Sequence, residues 1–93
     1  MIATMKKEKC ESLEQAREKI DVLDTALIEI IATRQFYVDQ AVRFKNSVQD
    51  VQSPERVEQV INKVRTQAIA LGTDPDLVEH LYREMIQRFI QRE

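Results

Sequence analysis

Steps of three and four residues from Leu13 reach Arg17, Ile20, Asp24, Leu27, Ile31, Arg34, Val38, Ala41 and Lys45. This is the spacing of a coiled-coil seam, and it predicts one long helix over residues 12–46. Ser12, with Gln15 three residues later, supplies a capping signal at its start. Residues 47–52 break the apolar period. Ser53 and Pro54 then read as the N-cap and first position of a second helix, whose inward positions are Val57, Val60, Ile61, Val64, Ala68 and Leu71. Gly72 is placed to close that helix, and Asp74 with Pro75 repeats the cap-then-proline signal. A third helix is expected to run to the end of the chain, with an apolar stripe of Leu77, Val78, Leu81, Tyr82, Met85, Ile86, Phe89 and Ile90. No segment carries a strand signal, so the expected class is all-α, three helices with a long first one.

Three cations on the first seam depart from the pattern. A charged group taken out of water costs several kcal/mol unless an anion or strong acceptors meet it. Arg17, Arg34 and Lys45 share their seam with one carboxylate, Asp24, so a further counter-charge is expected from elsewhere. At about 1.5 Å per residue, Arg34 and Lys45 stand roughly 16 Å apart and Arg17 and Arg34 roughly 25 Å apart, too far for one small ligand on one helix. An antiparallel copy centred near Leu27 and Ile28 would set the partner subunit's Arg17 level with the stretch between Arg34 and Lys45. The expectation is an intertwined antiparallel homodimer with two equivalent anion sites. Register-fixing polar residues paired with the partner's acids are the competing explanation of the same seam.

Composition narrows the class. The chain has 93 residues, 43 % hydrophobic and 32 % charged, with one Gly and two Pro, which suits a helical protein of one domain, residues 1–93. Residues 1–11 precede the first cap and are expected to be flexible. A net charge of -2 speaks against a general nucleic-acid binder, so basic chemistry must be local. Cys10 is the only cysteine and His80 the only histidine, so neither a disulfide framework nor a metal site is expected. Without a long apolar run, no membrane span is expected and the location should be cytoplasmic.

The stretch Ala16-Arg17-Glu18-Lys19-Ile20-Asp21-Val22-Leu23-Asp24, then Arg34, then Arg43-Phe44-Lys45, then Ser53-Pro54-Glu55-Arg56-Val57 resembles the all-helical chorismate mutases. The likeness is strongest to the branch that includes isochorismate-pyruvate lyases, and it covers residues 13–93. It implies a homodimer acting on a small dicarboxylate, chorismate or isochorismate, without cofactor. It also implies that Arg17, donated by the other subunit, and Arg34 bind substrate carboxylates. Lys45 would hydrogen-bond the ether oxygen and a carboxylate, and Arg56 would help order the site. The chemistry suits such a cation set, because an intramolecular pericyclic step needs a held conformer and stabilisation of charge developing on the ether oxygen.

Four positions depart from the commonest pattern of that family. Val57 stands where many mutases have an acid that meets the substrate hydroxyl, and Ser53 stands in place of an aspartate; both resemble the lyase-containing branch. Phe89 replaces a serine near one carboxylate. Glu93 aligns with a glutamine that donates to the ether oxygen, a role a carboxyl group can fill only when protonated. The resemblance implies a catalytic set of Lys45, Arg34 and Glu93, and a binding set of Arg17, Arg34, Lys45, Arg56, Ser53, Val57 and Phe89. The expected activity is chorismate mutase, in chorismate metabolism and aromatic amino acid biosynthesis. The alternatives are an isochorismate-pyruvate lyase or a mutase of a chorismate derivative, and, from another class, a non-enzymatic helical dimerisation module.

Overall fold

The structure, a computed structural model, describes residues 5–44 and 53–91, with backbone alone for residues 89–91. It is all-helical: α1 spans Leu13–Arg43, α2 Pro54–Leu71 and α3 Pro75–Gln91. By internal contacts the chain divides into two units, Met1–Arg34 and Gln35–Glu93.

Each helix begins where a side chain replaces a missing backbone partner. At α1, the Gln15 amide donates to Ser12 Oγ at 3.1 Å, while Gln15 Oε1 accepts from the Glu11 amide at 2.7 Å. This is the expected reciprocal cap, shifted by one residue on its return arm. At α2, Ser53 Oγ accepts from the Arg56 amide at 3.4 Å and Pro54 fills the first turn. At α3, Asp74 Oδ1 accepts from the Asp76 amide at 2.9 Å.

The end of α2 is the expected one. Gly72 takes a left-handed φ of 78°. Its amide donates to the Ile69 carbonyl at 3.1 Å, and the Thr73 amide donates to the Ala68 carbonyl at 2.9 Å. That paired bonding is a Schellman close, and glycine permits it at no steric cost. α1 is described to Arg43, and the expected end near Asn46 lies outside the described residues. The Phe44 amide reaches back three residues to the Ala41 carbonyl at 3.1 Å, a tightened turn.

The core lies in the second unit. Ile61, Val64 and Ala68 of α2 are the buried hydrophobic residues among those described, with Ile61 only 2 % exposed. α2 and α3 form an antiparallel pair about the Gly72 turn, and Val78, Met85 and Ile86 of α3 are half-buried. Two further arginines cross-link the pair. Arg65 Nη1 donates to Asp76 Oδ1 at 2.9 Å and to Glu79 Oε1 at 2.7 Å. Arg83 donates through Nε to Glu79 Oε2 at 2.7 Å and through both Nη atoms to Glu58 at 3.0 and 3.2 Å.

Three expected core positions are corrected. Leu71, Leu77 and Leu81 are exposed: no described residue covers them. The long helix shows the same feature on a larger scale. No residue of α1 is buried, and Leu13, Ile20, Val22, Leu23, Leu27, Ile28 and Ile30 all stand in solvent.

Candidate functional site

The candidate residues whose side chains are described fall on α1 and at the start of α2. α1 carries Arg17 and Arg34, seventeen residues and therefore roughly 25 Å apart along one rigid helix. They share a seam but not an environment. Arg17 is exposed, whereas Arg34 is half-buried and its Nη1 atom is closed off from solvent. The two arginines of one seam therefore differ in exposure, Arg34 being the less accessible.

The first turn of α2 brings together Ser53, Arg56 and Val57. Ser53, half-buried, takes extended backbone geometry with φ -50° and ψ 121°. Its hydroxyl oxygen accepts from the Arg56 amide, and its carbonyl accepts from the Val57 amide at 3.1 Å. A hydroxyl has one donor and two acceptor positions, so the cap leaves the Ser53 proton available to a ligand. The Arg56 side chain is exposed and Val57 is half-buried. Of the two carboxylates beside this turn, Glu55 is exposed and Glu58 is held by Arg83. The position where an acid would meet a substrate hydroxyl is therefore apolar.

Lys45 and Glu93 lie outside the described residues, as does the side chain of Phe89, whose backbone belongs to the last turns of α3. Just before Lys45, the Arg43 guanidinium lies over the Phe44 ring at 5.8 Å and donates to Gln40 Oε1 at 3.0 Å.

The Glu58–Arg83–Glu79–Arg65–Asp76 chain was not foreseen in the sequence. Its intrahelical link, Glu79 to Arg83 at four residues' spacing, is a legible pattern. The links across 25 and 14 residues are not. Its charges reinforce one another. Arg83 holds the Glu79 carboxyl below its ordinary range, with Arg65 adding to the effect. Glu58, then Glu79, push the Arg83 guanidinium further up from an already high value.

Among the described residues, no helix is long and apolar enough to cross a membrane. No three His, Cys, Asp or Glu side chains among them gather as metal ligands would.

The chain matches the family described as chorismate mutase type II over residues 16–93. It is also 34 % identical over 83 residues to an isochorismate pyruvate lyase of Pseudomonas aeruginosa, across 89 % of this chain and 82 % of that protein. A match of this extent takes in α1, α2 and α3 with both arginine-bearing segments, and the chain belongs to the chorismate mutase type II family.

Proposed function

We propose that this chain is a cofactor-free pericyclic enzyme whose substrate is isochorismate, released as pyruvate and 2-hydroxybenzoate. The observation that carries this reading is the first turn of α2, where Val57 is half-buried, Ser53 caps the helix and the nearby Glu58 is engaged by Arg83. That turn offers no free acid at position 57 for a ring hydroxyl. The lyase from Pseudomonas aeruginosa, similar over most of both chains, supports the same choice. Rearrangement of chorismate to prephenate is the second reading, favoured by the family's own description.

Both reactions use one set of charges. Arg34, half-buried on α1, and Arg17 of the partner subunit bind the two carboxylates and hold the enolpyruvyl arm over the ring. Lys45 donates to the ether oxygen as its bond to the ring breaks. In the lyase reaction a ring hydrogen moves to the enolpyruvyl methylene as that bond breaks, giving pyruvate and an aromatic ring. In the mutase reaction the methylene instead forms a carbon–carbon bond to the ring. Glu93, when protonated, supplies a second donor to the ether oxygen. Arg56, Ser53, Val57 and Phe89 shape the rest of the pocket.

The site belongs to an intertwined antiparallel homodimer. Support comes from α1, a 31-residue helix with no buried residue and with Leu27 and Ile20 each 53 % exposed at the centre of its apolar seam. Burying a side chain of this size gains about 1.5–3 kcal/mol, so a second copy is the natural cover.

The deciding experiment incubates the purified protein separately with isochorismate and chorismate, following loss of each and release of pyruvate. Faster turnover of isochorismate with stoichiometric pyruvate is expected. Prephenate formation at the higher kcat/KM would establish the second reading, and turnover of neither would leave a non-enzymatic helical dimerisation module.

A further inference from the structure

The first turn of α2 is held at both ends by contacts that have no direct role with an anionic substrate. At its leading end the Ser53 hydroxyl accepts from the Arg56 amide. At its trailing end Glu58, one residue beyond Val57, receives two parallel donors from Arg83 at 3.0 and 3.2 Å. Arg83 is itself tied down within α3, because its third donor, Nε, bonds Glu79 Oε2 at 2.7 Å. Glu79 in turn accepts from Arg65 of α2 at 2.7 Å. A lone exposed ion pair would hold nothing in place, since the two side chains lose as much freedom as they gain in attraction. This arrangement differs in two respects. The fork is bidentate, which fixes an angle as well as a distance, and Glu79 is shared by two arginines, one on each carboxylate oxygen.

From this geometry we infer that Arg83 is a positioning residue, which acts through Glu58, together with the Ser53 cap, to hold the backbone of Arg56 and Val57 where the substrate is met. The inference rests on the pericyclic reading above, since it treats that turn as part of the binding site. Arg83 touches no substrate. It sets the rotation of α2's first turn against α3, and with it the direction in which the Arg56 guanidinium leaves the helix. Lysine cannot substitute, because a single ammonium keeps the pairing with Glu79 but cannot make the two-pronged contact to Glu58.

The test compares Arg83→Lys, Glu58→Gln and the double variant with the parent at a temperature where circular dichroism shows all four fully helical. Each single variant should raise KM about fivefold, the upper end for a well-formed exposed network, and leave kcat within about twofold. The double variant should be no worse than either single one, because both break the same contact. Ser53→Ala should speed exchange of the Arg56 amide and Ser53→Thr, which keeps the cap, should restore the parent rate. Unchanged KM in folded Arg83→Lys and Glu58→Gln, or fully additive losses, would overturn the inference. Amide hydrogen exchange of Arg56, Val57 and Glu58 separates this outcome from failure of the functional reading. If the parent turns over neither substrate, the pericyclic reading fails, and the brace is decided by whether those amides exchange faster in Arg83→Lys. Equal exchange there overturns it.

Discussion

Arg17 and Arg34 have the same residue type, the same helix and the same seam, yet only Arg34 loses much of its solvent. Burial raises the worth of a preorganised donor, because the charge it meets is no longer screened by water. Arg34→Ala is therefore expected to lower kcat/KM by about 100-fold, as is Lys45→Ala, with the helical content of both variants preserved. Steady-state kinetics alongside circular dichroism checks this; unchanged kinetics in both variants would remove the catalytic assignment, and losses explained by unfolding would favour a purely structural seam. Glu93 carries a prediction of sign. If Glu93 hydrogen-bonds the ether oxygen, only its protonated form can donate, so kcat/KM should rise as pH falls through its folded-state pKa. Glu93→Gln supplies a permanent donor and should flatten that limb of the profile while raising activity at neutral pH. A variant with the parent's profile would exclude the role.

The helices were legible to different depths at their two ends. Ser12, Ser53 and Asp74 each mark a start correctly because a cap is a contact within three residues, complete before any tertiary packing. Gly72 marks an end for the same reason. The end of α1 carries no glycine or proline signal, and the expected end near Asn46 lies outside the described residues. Between α2 and α3, the Arg65–Glu79–Arg83 chain adds a pH-dependent element. The Glu79 carboxyl is held below its ordinary value of 4.5, mainly by Arg83. Its contribution to stability is therefore complete above that value and is lost as pH falls toward the depressed folded-state pKa. Melting temperature measured from pH 7 down to pH 3 should fall on the acid side, and Glu79→Gln should be less stable at pH 7 and less sensitive below about pH 4.5. An identical acid limb in the two proteins would mean that other carboxylates carry it.

For the whole molecule, the contrast between the buried positions of α2 and the exposed apolar positions of α1 motivates the test of a second copy. Among the described residues the buried hydrophobic ones are Ile61, Val64 and Ala68, all on α2, whereas α1 has none and exposes Leu13, Ile20, Val22, Leu23, Leu27, Ile28 and Ile30. If a second antiparallel copy covers α1, each site takes Arg17 from one subunit and Lys45 from the other. Mixing inactive Arg17→Ala with inactive Lys45→Ala and allowing subunit exchange should then restore activity through one intact site per heterodimer. Exchange shown by mass spectrometry without any return of activity would place Arg17 in its own chain's site.

What the sequence by itself determined depends on neighbours along the chain: three helices, their caps, the glycine stop and the spacing of cations on the first seam. These are legible because helical geometry repeats every 3.6 residues and a cap spans one turn. Only the tertiary structure decided which members of an apolar stripe are buried, placing Ile61 in the core and Leu71, Leu77 and Leu81 outside it. Only it separated Arg34 from Arg17, and only it joined Glu58 to Arg83 across 25 residues. Periodicity assigns a residue to a face, but burial and ion pairing depend on what another element brings to that face, and that is a property of the folded chain.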